Sequence, residues 1–442
     1  MSGLIPWEEA RELVLAGVVP LPPVEVALED ALGLAAAQTV LAPECMPPFD
    51  NSAVDGFAVR AADVGGVVPT DPRRLQVVGE RPAGATSPLR VDSGQACRIM
   101  TGAPLPEGAD AVVMIENTDA WDALARAEPG SRDAPPCAEF GGRDAPPCAK
   151  PGSRAEPGGS QVEIRRHARP GENVRRKGES VAAGAILLEP GQVVRPAELG
   201  LLISVGVRSI LAHPLPRVAV LSTGDELVPP GTDPGPGQIR DSNRPALLAA
   251  LRRRGFPTLD LGLVPDDEEA LAEAVLRGAR EADFLLTSGG VSVGDRDLTH
   301  RVLSRLGRVN SMKVAMKPGK PQLFGTLEGT PVYGLPGNPV SSLVVFDEFV
   351  LPALKKRAGR RDLLRPLFRA RLGAPIRRKP GRTEFVRVRL AVEDGVWVAR
   401  DTGPQGSGVL SSMTRANGYA ILPADAGDMD AGAAVLCRLW ED

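Results

Sequence analysis

Val218-Ala-Val-Leu-Ser222, Leu259 to Val264, Phe284-Leu-Leu-Thr-Ser-Gly-Gly290 and Val332-Tyr-Gly-Leu335 are short apolar runs separated by segments with helical spacing. One such segment runs from Arg244 to Arg254. The next carries Leu271, Val275 and Ala279 at i, i+4 and i+8. A third falls near 298–306, and a fourth passes through Phe346 and Leu354. Strands and helices alternating at this length predict a doubly wound, parallel α/β domain over 214–358. Ligands of such sheets lie at the carboxyl ends of the strands, and the glycine-rich turns fall there.

Within this domain the run Lys313-Val-Ala-Met-Lys317-Pro-Gly-Lys320-Pro321-Gln is the most distinctive. Read as one extended strand, it points Lys313 and Lys317 the same way. Pro318-Gly319 then turns the chain so that Lys320 swings back. Three gathered ammonium groups repel one another unless something multiply anionic sits among them. Gly334-Leu-Pro-Gly-Asn-Pro-Val-Ser341 reads as a turn feeding a helix N-terminus, a seat for an oxyanion. Together the two runs suggest a site for phosphate or a similar tetrahedral anion.

Outside the α/β segment the texture changes. Residues 1–46 read as helical, with Leu13, Val14 and Leu32 among the expected buried positions, and join 165–213 as an N-terminal, linking domain. From 47 to 164, short Val-rich strands such as Leu75-Gln-Val-Val-Gly and Ala111-Val-Val-Met-Ile predict a small β domain. Residues 359–442 return to short strands and turns and predict a β-barrel-like terminal domain. Within 123–160, Arg-Asp-Ala-Pro-Pro-Cys-Ala occurs at 132–138 and again at 143–149. A repeat so rich in Pro, Gly and charge reads as a disordered insertion; duplication explains the Cys137/Cys148 spacing, with a metal or redox pair as the alternative.

With 442 residues, several domains are expected. A net charge of −3 gives no global basic field for nucleic acid or an anionic membrane, so any anion site must be local. Five cysteines without CxxC spacing predict reduced thiols and a cytoplasmic setting. Three histidines without an HxxxH pair argue against zinc. No apolar run approaches the roughly 20 residues of a membrane span, and the first residues read as a helix start and not as a signal peptide.

Thr287-Ser-Gly-Gly-Val-Ser-Val-Gly294 reads either as a tight turn or as an anion-binding loop, and it matches neither the Walker nor the dinucleotide pattern. Asp266 and Asp297 each precede a helix. Each is either a helix cap or a carboxylate at the sheet edge holding Mg²⁺ against phosphate oxygens. Glu226, in Ser222-Thr-Gly-Asp-Glu-Leu, would be a third acid on that edge. Gly381-Arg382-Thr-Glu-Phe and Gly403-Pro-Gln-Gly-Ser407 offer a guanidinium and a hydroxyl from the last domain, Arg382 being able to bind an oxyanion bidentately.

The stretches Asp-Asn-Ser-Ala-Val-Asp-Gly-Phe-Ala-Val-Arg (50–60), Arg-Ile-Met-Thr-Gly-Ala-Pro (98–104) and Ser-Thr-Gly-Asp-Glu-Leu (222–227) resemble the molybdopterin molybdenumtransferase family of the MoeA type. So do Ser-Gly-Gly-Val-Ser-Val-Gly (288–294), Lys-Pro-Gly-Lys-Pro (317–321) and Gly-Leu-Pro-Gly-Asn-Pro-Val-Ser (334–341). The family is similar to the E domain of gephyrin. The match is collinear over nearly the whole chain and skips only 119–163; Val54 and Phe57 stand where the family often has Met and Tyr.

The resemblance implies an elongated homodimer of multidomain subunits, each with a molybdopterin-binding α/β domain. It implies that adenylylated molybdopterin and molybdate are the substrates, with Mg²⁺-dependent cleavage of the phosphoanhydride and release of AMP. It marks Asp55, Thr101, Glu226, Asp266, Asp297, Lys313 and Lys317 as catalytic positions. Gly289, Gly290, Ser292, Lys317, Lys320, Pro321, Ser341, Arg382 and Ser407 would bind molybdate or molybdopterin, and Glu226, Asp266 and Asp297 the metal. It also implies a shared site, Lys313 and Lys317 facing Arg382 of the partner subunit and Ser407 of the partner subunit. Molybdopterin adenylyltransferase and molybdoenzyme acceptors would be its protein partners. The alternative readings are a molybdopterin adenylyltransferase, which shares the α/β fold, and a gephyrin-like structural scaffold.

Overall fold

The computed structural model describes residues 3–126, 160–290 and 298–440. The repeats of the 123–160 insertion, Cys137, Cys148, Ser292 and Asp297 lie outside the described residues. The chain forms two compact units, one of Met1–Val40, Leu188–Gly200 and Arg208–Asp442, the other of Leu41–Leu187 and Leu201–Val207.

The first unit holds a six-stranded sheet in the order Thr258–Val264, Val218–Thr223, Phe284–Ser288, Thr330–Leu335, Pro321–Leu327, Arg308–Lys313. The first four strands pair in parallel. Side-chain alternation sends Val218 and Val220 to one face, against Leu247, Leu251 and Val344. Ala219 and Leu221 go to the other, against Leu271, Val275, Val302 and Leu303. Both faces are thus covered by helices, which explains why these strands are uniformly apolar.

The lysine strand departs from the expected geometry. Pro321–Leu327 and Arg308–Lys313 add to the edge antiparallel. Glu328 and Gly329, at φ of 49° and 86°, make the two-residue hairpin that returns the chain into Thr330–Leu335. Nor do Lys313 and Lys317 share a strand. After Lys313 the chain leaves the sheet, and Ala315 binds Ile5 and Thr383 through its backbone. Met316–Lys317 then pairs in parallel with the Thr383–Glu393 strand of the terminal domain. Val314 and Met316, both fully buried, supply the reason: their side chains complete the core between the two sheets.

The terminal domain is the expected barrel. Thr383–Glu393, Val396–Asp401, Phe368–Leu372, Ala434–Leu439 and Gly418–Leu422 follow one another around it, and Gly418–Leu422 pairs back with Thr383–Glu393. Val386, Val388, Leu390, Leu422 and Cys437 fill it.

Residues 1–46 are not broadly helical. One helix, Trp7–Ala16, is followed by short strands at Val24–Ala27 and Ala35–Ala36, because Pro20, Pro22 and Pro23 forbid its continuation. The helix buries Trp7, Ala10, Arg11 and Val14 at helical spacing, which turns Leu13 to solvent at 52% exposure; Leu32 is equally exposed. Trp7 packs edge-on against Phe385 of the barrel at 5.1 Å between centroids. Below it, the fully buried Glu348 takes ion pairs from Arg11 at 3.7 Å, Arg365 at 3.5 Å and Arg438. One carboxylate therefore joins the N-terminal helix, the Phe346–Val350 turn and the barrel.

The second unit carries the five-stranded sheet Ala111–Met114, Gly56–Val59, Gln95–Ile99, Arg73–Arg81, Gln161–Ile164. Phe57, Leu75, Val113 and Ile164 lie in its core.

Candidate functional site

A cleft of about 780 Å³ opens at the carboxyl ends of the parallel strands. Thr223, Glu226, Ser288, Gly289, Gly290 and Pro321 line it, together with the 336–339 turn and Gly408. Gly289 has a φ of 98°, and a Cβ there would lie 2.6 Å from the Thr223 carbonyl oxygen, so only glycine lets these two loops meet. Asn243 Nδ2 donates to Ser288 Oγ at 2.9 Å and to the Gly337 carbonyl at 2.7 Å, tying three loops around the opening. The 334–341 turn does feed a helix, Pro339–Val345, whose first turn holds Ser341 at 4% exposure. Val340 N–H donates to the Ser407 carbonyl at 3.1 Å, so Ser407 reaches this helix from the barrel of its own chain.

The sequence left the roles of the edge acids open. Asp267, not Asp266, caps the Glu268–Glu281 helix, its Oδ1 accepting the Ala270 N–H at 2.8 Å. Asp266 is thereby free to accept a 2.6 Å hydrogen bond from Thr223 Oγ1 at the sheet edge. Glu226 is exposed on the same edge and lines the cleft. Among the described residues, no three acidic, His or Cys side chains converge as a metal-holding group. Mg²⁺ usually takes only one or two carboxylates plus substrate oxygens, and Glu226 and Asp266 follow neighbouring, paired strands of the sheet.

One group beside the cleft was not singled out from sequence. Asp241, 3% exposed, accepts from Ser222 Oγ at 3.1 Å and pairs with Arg244 at 3.0 Å, and Arg244 also reaches Asp260 at 2.6 Å. The available signal was Asp241-Ser-Asn-Arg244, an acid, an amide and a base gathered at the start of a helix at the carboxyl edge of the sheet.

A second cleft of about 910 Å³ is cationic. Lys317, Lys320, Arg377, Arg378, Lys379 and Arg382 line it, against the carboxylates of Glu384 and Asp428. Six bases and two acids leave a local balance of +4 in a chain of net charge −3. Lys317 Nζ lies 3.2 Å from Glu384 Oε1, and Arg377 lies 3.6 Å from Asp428. Lys320, Lys379 and Arg382 have no ion pair among the described residues, so their charge is available to a ligand.

The structure therefore divides the expected anion set. It brings Lys317, Lys320 and Arg382 together on one cleft within one chain. It sets Gly289, Gly290 and Pro321 on the strand-end cleft; Ser341, in the helix after the 336–339 turn, and Ser407, next to Gly408, are not among its lining residues. Lys313, half-buried and paired in register with Pro321, lines neither. Lys320 and Pro321, consecutive in the chain, line one cleft each.

Asp55 and Thr101 belong to the second unit and meet each other there. Asp55 Oδ1 accepts the Thr101 N–H and Oγ1–H, both at 2.7 Å. These bonds, the backbone one foremost, hold the Asp55 carboxyl below the ordinary aspartate value.

Residues 5–206 match the MoeA N-terminal region (domain I and II), residues 219–356 a probable molybdopterin binding domain, and residues 369–440 the MoeA C-terminal region (domain IV). The chain is 38% identical over 440 residues to molybdopterin molybdenumtransferase 2 of Mycobacterium tuberculosis, covering 98% of each. It is 35% identical over 410 residues to the molybdopterin molybdenumtransferase of Haemophilus influenzae, covering 92% of this chain and 91% of that one. A crystal structure of a molybdopterin biosynthesis MoeA protein from Pyrococcus horikoshii superimposes with a TM-score of 0.75 at 32% identity, covering both chains fully.

Proposed function

The chain belongs to the MoeA family of molybdopterin molybdenumtransferases, and from that premise we propose that it joins molybdate to adenylylated molybdopterin with release of AMP. The enzyme class and its place in molybdenum cofactor biosynthesis follow from the relatives; the substrate form, the metal and the leaving group are the proposal.

The observation that carries it is that consecutive residues, Lys320 and Pro321, line one cleft each. A tetrahedral dianion suits the side bounded by Lys317, Lys320 and Arg382, where an oxyanion meets donors that carry full charge. The phosphoanhydride suits the other side, where Gly289 lets backbone approach closely and the 336–339 turn leads into a helix. Substrates lodged on either side of one residue pair are brought together, which supplies the proximity a transfer needs.

Glu226 and Asp266 would hold Mg²⁺, which when bound offsets the charge of phosphate oxygens. Thr223 fixes the Asp266 carboxylate for that task through its hydroxyl. Asn243 keeps the Ser288 and Gly337 loops in place. Asp297 and Ser292 are assigned to the same edge by the family motif alone.

A cytoplasmic homodimer completes the proposal, supported by the resemblance and by the free thiols of Cys45, Cys97 and Cys437. No helix among the described residues is long and apolar enough to cross a membrane. The test is AMP release by the purified chain from adenylylated molybdopterin. Release that requires both Mg²⁺ and molybdate supports the reading; release that ignores molybdate removes it.

A further inference from the structure

The cationic cleft contains two carboxylates, unexpected groups in a site for anions, and one of them, Glu384, sits beside Lys317. Glu384 is the register partner of Lys317 on parallel strands, so its backbone position is fixed opposite the lysine. Its side chain is 15% exposed, while that of Lys317 is 49% exposed. One oxygen, Oε1, lies 3.2 Å from Lys317 Nζ and 3.7 Å from Arg378 Nε.

Arg378 differs from the other bases of the cleft. Its side chain is 1% exposed, and its terminal nitrogens donate to the carbonyls of Pro423 and Arg382, which fixes the guanidinium and the loop carrying Arg382. Its Nε is buried and makes no hydrogen bond. A buried donor without an acceptor is costly, and the only nearby oxygen shown for it is Glu384 Oε1, just beyond bonding range. The carboxylate thus stands between a movable cation that it binds and a fixed one that it nearly reaches.

We propose that Glu384 is a displaceable counter-anion of this cleft: it holds Lys317 while the cleft is empty, yields the lysine to an incoming tetraoxoanion, and closes on Arg378 Nε. The inference rests on the reading of this cleft as the molybdate site and adds to it a residue that sets affinity. The Glu384 carboxylate repels the bound anion in proportion to the anion's own charge. Its presence keeps capture reversible. Glu384 is a positioning residue, acting through Lys317 and Arg378.

The experiment is calorimetric titration with molybdate and with perrhenate, a monoanion of the same shape, on the full chain and on Glu384→Gln, Glu384→Asp and Lys320→Ala. Glu384→Gln is expected to bind molybdate more tightly by roughly two- to fivefold, the scale of one partly exposed ion pair. Perrhenate should gain by a smaller factor because it carries half the charge. Glu384→Asp, which withdraws the carboxylate from Lys317 by one methylene, should shift in the same direction to a lesser extent and serves if Glu384→Gln does not fold. A residue that merely held the loop together would weaken binding when replaced. Molybdate binding that is unchanged or weakened in the Glu384 variants, yet weakened in Lys320→Ala, overturns the counter-anion role alone. Binding unaffected by Lys320→Ala as well overturns the molybdate site, and this inference with it.

Discussion

Lys317 and Glu384 are register partners on parallel strands, and their side chains meet at 3.2 Å. A lysine that the sequence places in the α/β domain is thereby held on the barrel, and the connection between the two sheets becomes one wall of the cationic cleft.

Lys317→Ala removes a half-exposed cation whose surface pair adds at most about 1 kcal/mol to stability. Thermal unfolding should therefore shift little. Molybdate uptake should need about tenfold more anion, the loss expected for one charge-assisted contact. Equal molybdate dependence in parent and variant would show that Lys317 does not touch the anion.

Because Lys317 and Arg382 line one cleft of one chain, Lys317→Ala and Arg382→Ala should not complement. Every active site in a mixed dimer then lacks one of the two. Activity returning toward about a quarter of the parent value in a random mixture, as two-fold symmetry allows for a shared site, would show that the barrel acts on the partner subunit.

Thr101→Val deletes the hydroxyl bond to Asp55 while leaving the Thr101 backbone bond. The folded-state value of Asp55 lies below its ordinary 3.8, so the interaction stabilises fully above that value and fades as pH falls through the lowered one. The gap in urea midpoint between parent and Thr101→Val should be widest near neutral pH and should close as pH falls through the lowered Asp55 value. A gap that widens in acid would contradict this sign.

Glu348→Gln leaves the buried Arg11, Arg365 and Arg438 without their common carboxylate. Breaking such a pair from one side costs about 3–5 kcal/mol, and the urea midpoint should drop accordingly. A midpoint within experimental error of the parent would mean that water or another acid takes over.

The fold was legible where one period governs a segment. The parallel strands are buried on both faces and therefore read as continuous apolar runs, and Leu271, Val275 and Ala279 announce their helix. The site was legible as motifs and not as geometry. Lys313 and Lys317 look like strand neighbours because Val314, Ala315 and Met316 suit a strand; nothing local says that two different sheets divide the run. The Glu328-Gly329 hairpin that reverses the edge strand carries only a weak turn signal, since Glu is an uncommon choice at positive φ. Leu13 was misplaced because its helix packs through Trp7, Ala10 and Val14, a choice of face that the first residues alone do not specify. Asp241 and Arg244 pair directly at i, i+3, but the second partner of Arg244, Asp260, comes from another strand and is not visible in the local sequence.

Anomalous diffraction at the molybdenum absorption edge, from crystals of the full chain soaked in molybdate, tests the central claim most directly. A peak enclosed by Lys317, Lys320 and Arg382 of one chain is the expected result, with the peak absent in Lys320→Ala crystals. A peak seated instead against Gly289, Gly290 and Ser341, with the cationic cleft empty, would contradict the division of labour between the two clefts.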